Sequence, residues 1–177
     1  MKPLLVAEDI TVRRGLFHIF GARWMATRYA WMSPLSWTAL GFAMAFADHG
    51  DADVTTLAGI GLWYGAVLYA SNVVHSLGHI ISGRAANAPV DAVVLTSTRD
   101  VIIYAQPGAA APPCSRIGRA LGGPIANVAA GCVLILAGYF SEMPSLTMAG
   151  VVNVGIGVWT LVPVPTLDGW VIWRRGL

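Results

Sequence analysis

The chain has 177 residues, of which 56% are hydrophobic and only 11% charged, with a formal net charge of +2. Soluble domains carry about 25% charged residues, so this composition, with a mean hydropathy of +0.64, excludes an ordinary soluble globule and points to an integral membrane protein. The small positive charge carries no nucleic-acid patch.

Residues 1–30 read as a cytosolic or interfacial arm. Met1 to Phe20 holds no compact apolar run followed by a small-residue cleavage site, so it does not read as a cleavable signal peptide. Leu16, Phe17, Ile19, Phe20 and Trp24, interspersed with Arg13, Arg14, Arg23 and Arg28, fit a basic amphipathic helix lying on anionic headgroups. A loosely ordered juxtamembrane tail fits them equally well. Residues 31–177 form a single transmembrane domain, with apolar spans at 31–47, 57–82, 118–140 and 145–164, near the ~20 residues a helix needs to cross the hydrocarbon core. Between the second and third spans, Ala92–Thr96 and Val101–Ala105 are rich in β-branched and aromatic residues and flank a turn at Ser97-Thr98-Arg99-Asp100. Gln106-Pro107-Gly108, the Ala109-Ala110-Ala111 run and Pro112-Pro113 then break the pattern. The expected fold class is an all-α polytopic membrane protein of about four transmembrane helices, with a short β-hairpin at the cytoplasmic edge.

Lys and Arg in short loops stay on the cytoplasmic side. Ten of the 11 basic residues precede the first span, lie between the second and third, or follow the fourth, and Arg119 is the second residue of the third span, at its cytoplasmic end. That predicts four crossings with both termini cytoplasmic. Gly59, Gly61, Gly65, Gly150, Gly155 and Gly157 suit close helix packing. Cys114 and Cys132 have no motif spacing, so neither a disulfide nor a cysteine metal site is expected.

His75-Ser76-Leu77-Gly78-His79 lies within the second span. Residues four apart share a helix face, so the two imidazoles can grip one metal ion, as in the H-E-x-x-H zincins. Ser76 stands at the position of the glutamate base. A lone intramembrane histidine usually bonds a neighbouring helix, but a pair of costly ionisable groups at this spacing is by default a functional site.

Three further features follow in order: the hairpin, Gly122-Gly123-Pro124-Ile125-Ala126-Asn127 opening the third span, and Pro163-Val164-Pro165-Thr166-Leu167-Asp168-Gly169 ending the fourth. Together with the histidines they resemble the site-2 protease family of intramembrane zinc metalloproteases, over roughly residues 57–170. The resemblance implies zinc held by His75, His79 and Asp168. It implies packing or substrate roles for Gly123, Pro124 and Asn127, and a break at Pro163 and Pro165 that lets Asp168, followed by Gly169, turn inward. In the family the motif glutamate takes a proton from the attacking water and passes it to the leaving amine. The Ser76 hydroxyl is far too weak a base for that. No other carboxylate is placed by sequence to substitute, because Asp91 and Asp100 lie in the hairpin region and Glu142 on the far side. Thr160 and Trp170 also depart from the family pattern, and Trp170 is expected to crowd Asp168.

Three function classes fit. The first, favoured by the missing glutamate, is a proteolytically inactive relative acting as scaffold, assembly factor or accessory subunit of a membrane complex, with any retained zinc structural. Its partners are the bilayer and other membrane-protein subunits, and no nucleic acid. The second is an active intramembrane zinc metalloprotease in which Ser76 is a substitution or an unrecognised group serves as base. The third is a tetrapyrrole binder, with an imidazole as axial ligand to haem iron or chlorin magnesium.

Overall fold

The computed structural model describes residues 13–97, 99–105 and 111–174. Strands β1 (Arg13–Ile19) and β2 (Ala22–Thr27) precede helices α1 (Met32–His49) and α2 (Val54–Ala85). Strands β3 (Val90–Leu95) and β4 (Asp100–Tyr104) follow, then α3 (Pro113–Phe140), α4 (Pro144–Trp159) and the short α5 (Asp168–Trp173). The break at Gln106 to Ala110, Thr98 of the predicted turn, the arm before Arg13 and Arg175 lie outside the described residues.

The all-α expectation is corrected to a mostly helical fold with a mixed sheet of four strands in the order β1-β2-β3-β4. Residues 13–27 form a β-hairpin and not an amphipathic helix. Phe20 and Gly21, with φ of 46° and 69°, make the two-residue link, and positive φ at both positions suits the twist of paired strands. What holds the hairpin is remote in sequence: β2 runs parallel to β3, Arg23 opposite Ala92 and Trp24 opposite Val93. β3 and β4 pair antiparallel, as the sequence predicted. One sheet face is closed by α2, where Ile80 joins Ala22, Trp24, Val90 and Val93 in a buried core flanked by Val73 and Leu77.

Asp53 caps α2, its carboxylate accepting from the Thr55 and Thr56 amides at 2.9 and 3.2 Å. The 32 residues of α2 run about 48 Å at 1.5 Å each, beyond the ~30 Å of bilayer hydrocarbon. α2 and α3 are long and apolar enough to cross a membrane. α4 is apolar but has only 16 residues. The span predicted over 145–164 stops at Trp159 because Pro163 and Pro165 each disfavour helix at the residue before them.

Helices cross where side chains are missing. A Cβ on Gly41 of α1 would lie 2.5 Å from the Gly61 carbonyl and 2.8 Å from Gly65 Cα of α2. Gly150 and Gly157 likewise meet α3, whereas Gly59 and Gly155 face open space and are corrected as packing sites. Gly41→Leu is expected to cost about 1–3 kcal/mol by overpacking, lowering the thermal midpoint of the detergent-solubilised protein by about 5 °C. An unchanged midpoint by circular dichroism would mean that α1 and α2 do not cross there.

Candidate metal centre

α2 presents a second stripe beside the one that packs on the sheet. Asn72, His75, Ser76 and His79 line a cavity of about 720 Å³, which Asp100, Arg119 and Asp168 also reach. Gly78 of the motif allows α3 to approach. A Cβ there would lie 2.8 Å from the Gly122 carbonyl carbon. The close crossing brings His79 Nδ1 to 2.8 Å from the Arg119 backbone carbonyl. Only a protonated nitrogen can make that contact, so Nδ1–H donates and the Nε2 lone pair is left free for a ligand or proton. Gly123 stands against the Nε2 edges of both imidazoles, where a Cβ would lie 2.5 Å from His75 Cε1 and 2.6 Å from His79 Nε2.

The proline break brings the Asp168 carboxylate to the two imidazoles. Past Trp159 the chain turns through Thr166, with φ of 89°, and the Gly169 amide donates to the Thr160 carbonyl at 2.8 Å. The Asp168 carboxylate then lies 2.9 Å from His75 Nε2 and 3.3 Å from His79 Nε2. Burial raises the Asp168 carboxyl, but the two imidazoles outweigh that and hold it down at about 2. It is therefore a charged donor at neutral pH.

The donor set fits a small divalent ion. Three ligands at about 2.0–2.1 Å from a tetrahedral zinc stand roughly 3.3 Å from one another; here the two Nε2 atoms are 3.1 Å apart, Asp168 Oδ2 is 2.9 Å from His75 and Oδ1 is 3.3 Å from His79, and one donor atom from each residue lies within 4.8 Å of the others. With the His79 proton on Nδ1, the Nε2 proton of His75 has two acceptors to serve, His79 Nε2 and the Asp168 carboxylate. One proton cannot satisfy both, whereas one cation satisfies all three groups.

The remaining residues fall in two places. Pro124 and Asn127 lie at the α3–α4 contact, where a Cβ on Gly157 would meet the Pro124 carbonyl at 2.8 Å and Asn127 Cβ at 3.2 Å. Asn127 is fully buried, and neither its Oδ1 nor its Nδ2 has a hydrogen-bond partner among the described residues. Trp170 lines the cavity near Asp168, with the Arg174 guanidinium 3.7 Å over its ring. Pro163 and Pro165 remain in the linker between α4 and α5.

The structure brings a hairpin carboxylate to Ser76. Asp100, at the start of β4, accepts a hydrogen bond from Ser76 Oγ at 2.8 Å. A carboxylate of the hairpin therefore touches the serine that stands between the two histidines. Burial pushes the Asp100 carboxyl up, against the opposing pull of Ser76, Asn72 and the nearby His75. Local sequence puts Asp100 at the end of the hairpin turn, one residue before the predicted strand, whereas it opens β4 in the structure, and the side chain it meets depends on how the sheet docks against α2.

No family model and no curated protein matches the sequence. The structure is similar to that of the Site-2 Protease from Methanocaldococcus jannaschii, with a TM-score of 0.61 at 18% sequence identity, over 92% of this chain and 70% of that one. With the long apolar α2 and α3, the sheet against α2, and a His-His-Asp group at the end of a broken fourth helix, the chain has the site-2-protease-like fold.

Proposed function

We propose that this protein is a membrane-embedded zinc hydrolase that takes a peptide segment into the cavity between α2, α3 and the linker before α5. The observation that carries the reading is the convergence of His75, His79 and Asp168 at separations suited to one tetrahedral ion. Zinc in such a site supplies Lewis acidity, polarising a carbonyl and activating water near neutral pH. The chain's own residues hold that ion, fix its ligands and enclose the reaction. The Arg119 carbonyl orients His79, Gly123 leaves room for both rings, and the proline break positions Asp168. Apolar walls from Trp37, Leu40, Leu68 and Ile156 limit water around the donors. The proposed orientation keeps both termini and the hairpin cytoplasmic, which places the site toward that surface.

The scaffold reading rests on the missing motif glutamate; the Asp100 carboxylate beside Ser76 favours the hydrolase reading over it. A tetrapyrrole is disfavoured by the donors themselves, since the two Nε2 atoms point at each other across 3.1 Å and leave no open face for a planar macrocycle. Elemental analysis with an absorption spectrum on the purified protein tests the reading. About one zinc per chain and no Soret band are expected, with the zinc lost in His75→Ala/His79→Ala. A metal-free protein, or a Soret band that depends on these histidines, overturns it.

A further inference from the structure

We propose that Asp100 is the proton-accepting carboxylate of this site, the role of the absent glutamate having moved from the helix to the β3–β4 hairpin. This inference rests on the metal-site reading above. In a glutamate at position 76, a carboxylate oxygen would stand roughly 2.4 Å from the γ-carbon, given bonds of about 1.5 and 1.2 Å and a trigonal angle. Ser76 Oγ occupies that γ position, and Asp100 Oδ2 lies 2.8 Å from it. The hydroxyl thus anchors, by hydrogen bond, a carboxylate that the family's glutamate would attach covalently. Ser76 is buried, at 2% exposure, so the anchor is held in protein and not in solvent.

Position and surroundings agree. Asp100 lines the same cavity as His75, His79 and Asp168, and its register is fixed by pairing with Leu95 across the hairpin. Ser76 satisfies one lone pair of one oxygen, and a carboxylate has further acceptor capacity to offer a water in the cavity. In the reaction, Asp100 takes one proton of the attacking water as its oxygen bonds to the peptide carbonyl carbon. The C–N bond then breaks, and the same proton passes from Asp100 to the leaving nitrogen, so that one water is consumed and the carboxylate is regenerated.

The contact also sets what Ser76→Glu should do. With Asp100 present, that substitution puts two carboxylates in one buried space, where like charges oppose each other. Restoration therefore requires the pair Ser76→Glu/Asp100→Asn.

The test uses acetohydroxamate, a metal-chelating acid that gives up a proton on binding as an anion and binds more tightly where a neighbouring base retains that proton. Affinity is measured by calorimetry on zinc-loaded full-length protein, with zinc per chain counted in each sample. Asp100→Asn is expected to keep its zinc and weaken acetohydroxamate binding about tenfold or more, and Ser76→Glu/Asp100→Asn to recover it. Acetate, which delivers no proton, should bind Asp100→Asn at least as well as the parent, because a negative charge has been removed. A merely structural Asp100 predicts otherwise, since asparagine still accepts from Ser76 and losing a charge favours any anion. Undiminished acetohydroxamate affinity in Asp100→Asn, or no binding by the zinc-loaded parent, overturns the proposal. Absence of zinc from the parent overturns the metal-site reading itself, and the proposal with it.

Discussion

Gly123→Ala is expected to weaken zinc binding by about 100-fold, the upper range for changes just outside a metal's ligands, while the helices stay folded. The new methyl would fall 2.5 Å from His75 Cε1 and 2.6 Å from His79 Nε2, inside contact distance of both rings. What it meets is the far end of two side chains and not backbone, so the imidazoles can swing away without separating α2 from α3. The apo protein should therefore keep its thermal midpoint or gain slightly, since alanine favours helix over glycine by about 1 kcal/mol. Competition with a fluorescent chelator measures the affinity, and thermal unfolding of the apo form supplies the control. Native affinity in this variant would mean that the rings bind metal in a different rotamer from the one seen against Gly123.

Gly169→Ala is expected to fail differently, losing stability and zinc together. Its Cβ would lie 2.5 Å from the Val162 carbonyl and closer still to that of Leu161. Those are backbone atoms of the linker and cannot rotate away. Relief requires α5 to move from the end of α4, breaking the Gly169 amide bond to Thr160 and carrying the adjacent Asp168 off the imidazoles. A destabilisation of about 2–3 kcal/mol should accompany at least a tenfold loss of zinc affinity. A variant that loses stability but binds zinc normally would show that Asp168 is positioned independently of this turn.

Much of this arrangement was legible before any fold was known. The β-branched runs around Ser97-Thr98-Arg99-Asp100 marked the hairpin because alternation and turn chemistry are local. Pro163 and Pro165 marked the end of the fourth helix for the same reason, and His75 and His79 share a face by helix geometry alone. Residues 13–27 were misread because their mix of Arg and apolar residues also suits an amphipathic helix. The pairing of β2 with β3 decides the matter, and the strands it joins, Arg23–Ala26 and Ala92–Leu95, are separated in sequence by two long helices. Strand preference is largely a matter of such neighbours.

Composition and interactions within a few residues were enough to indicate the apolar character, the positions of α2, α3 and the β3–β4 hairpin, and the pair of imidazoles on one helix face. Tertiary structure decided which carboxylates those imidazoles and Ser76 meet. Asp168 stands 93 positions from His75, and Asp100 stands 24 from Ser76. Both contacts depend on how closely helices pack at Gly78 and Gly122 and on how the sheet docks against Val73, Leu77 and Ile80. Those are sums of many weak contacts across the molecule, and no local pattern encodes them.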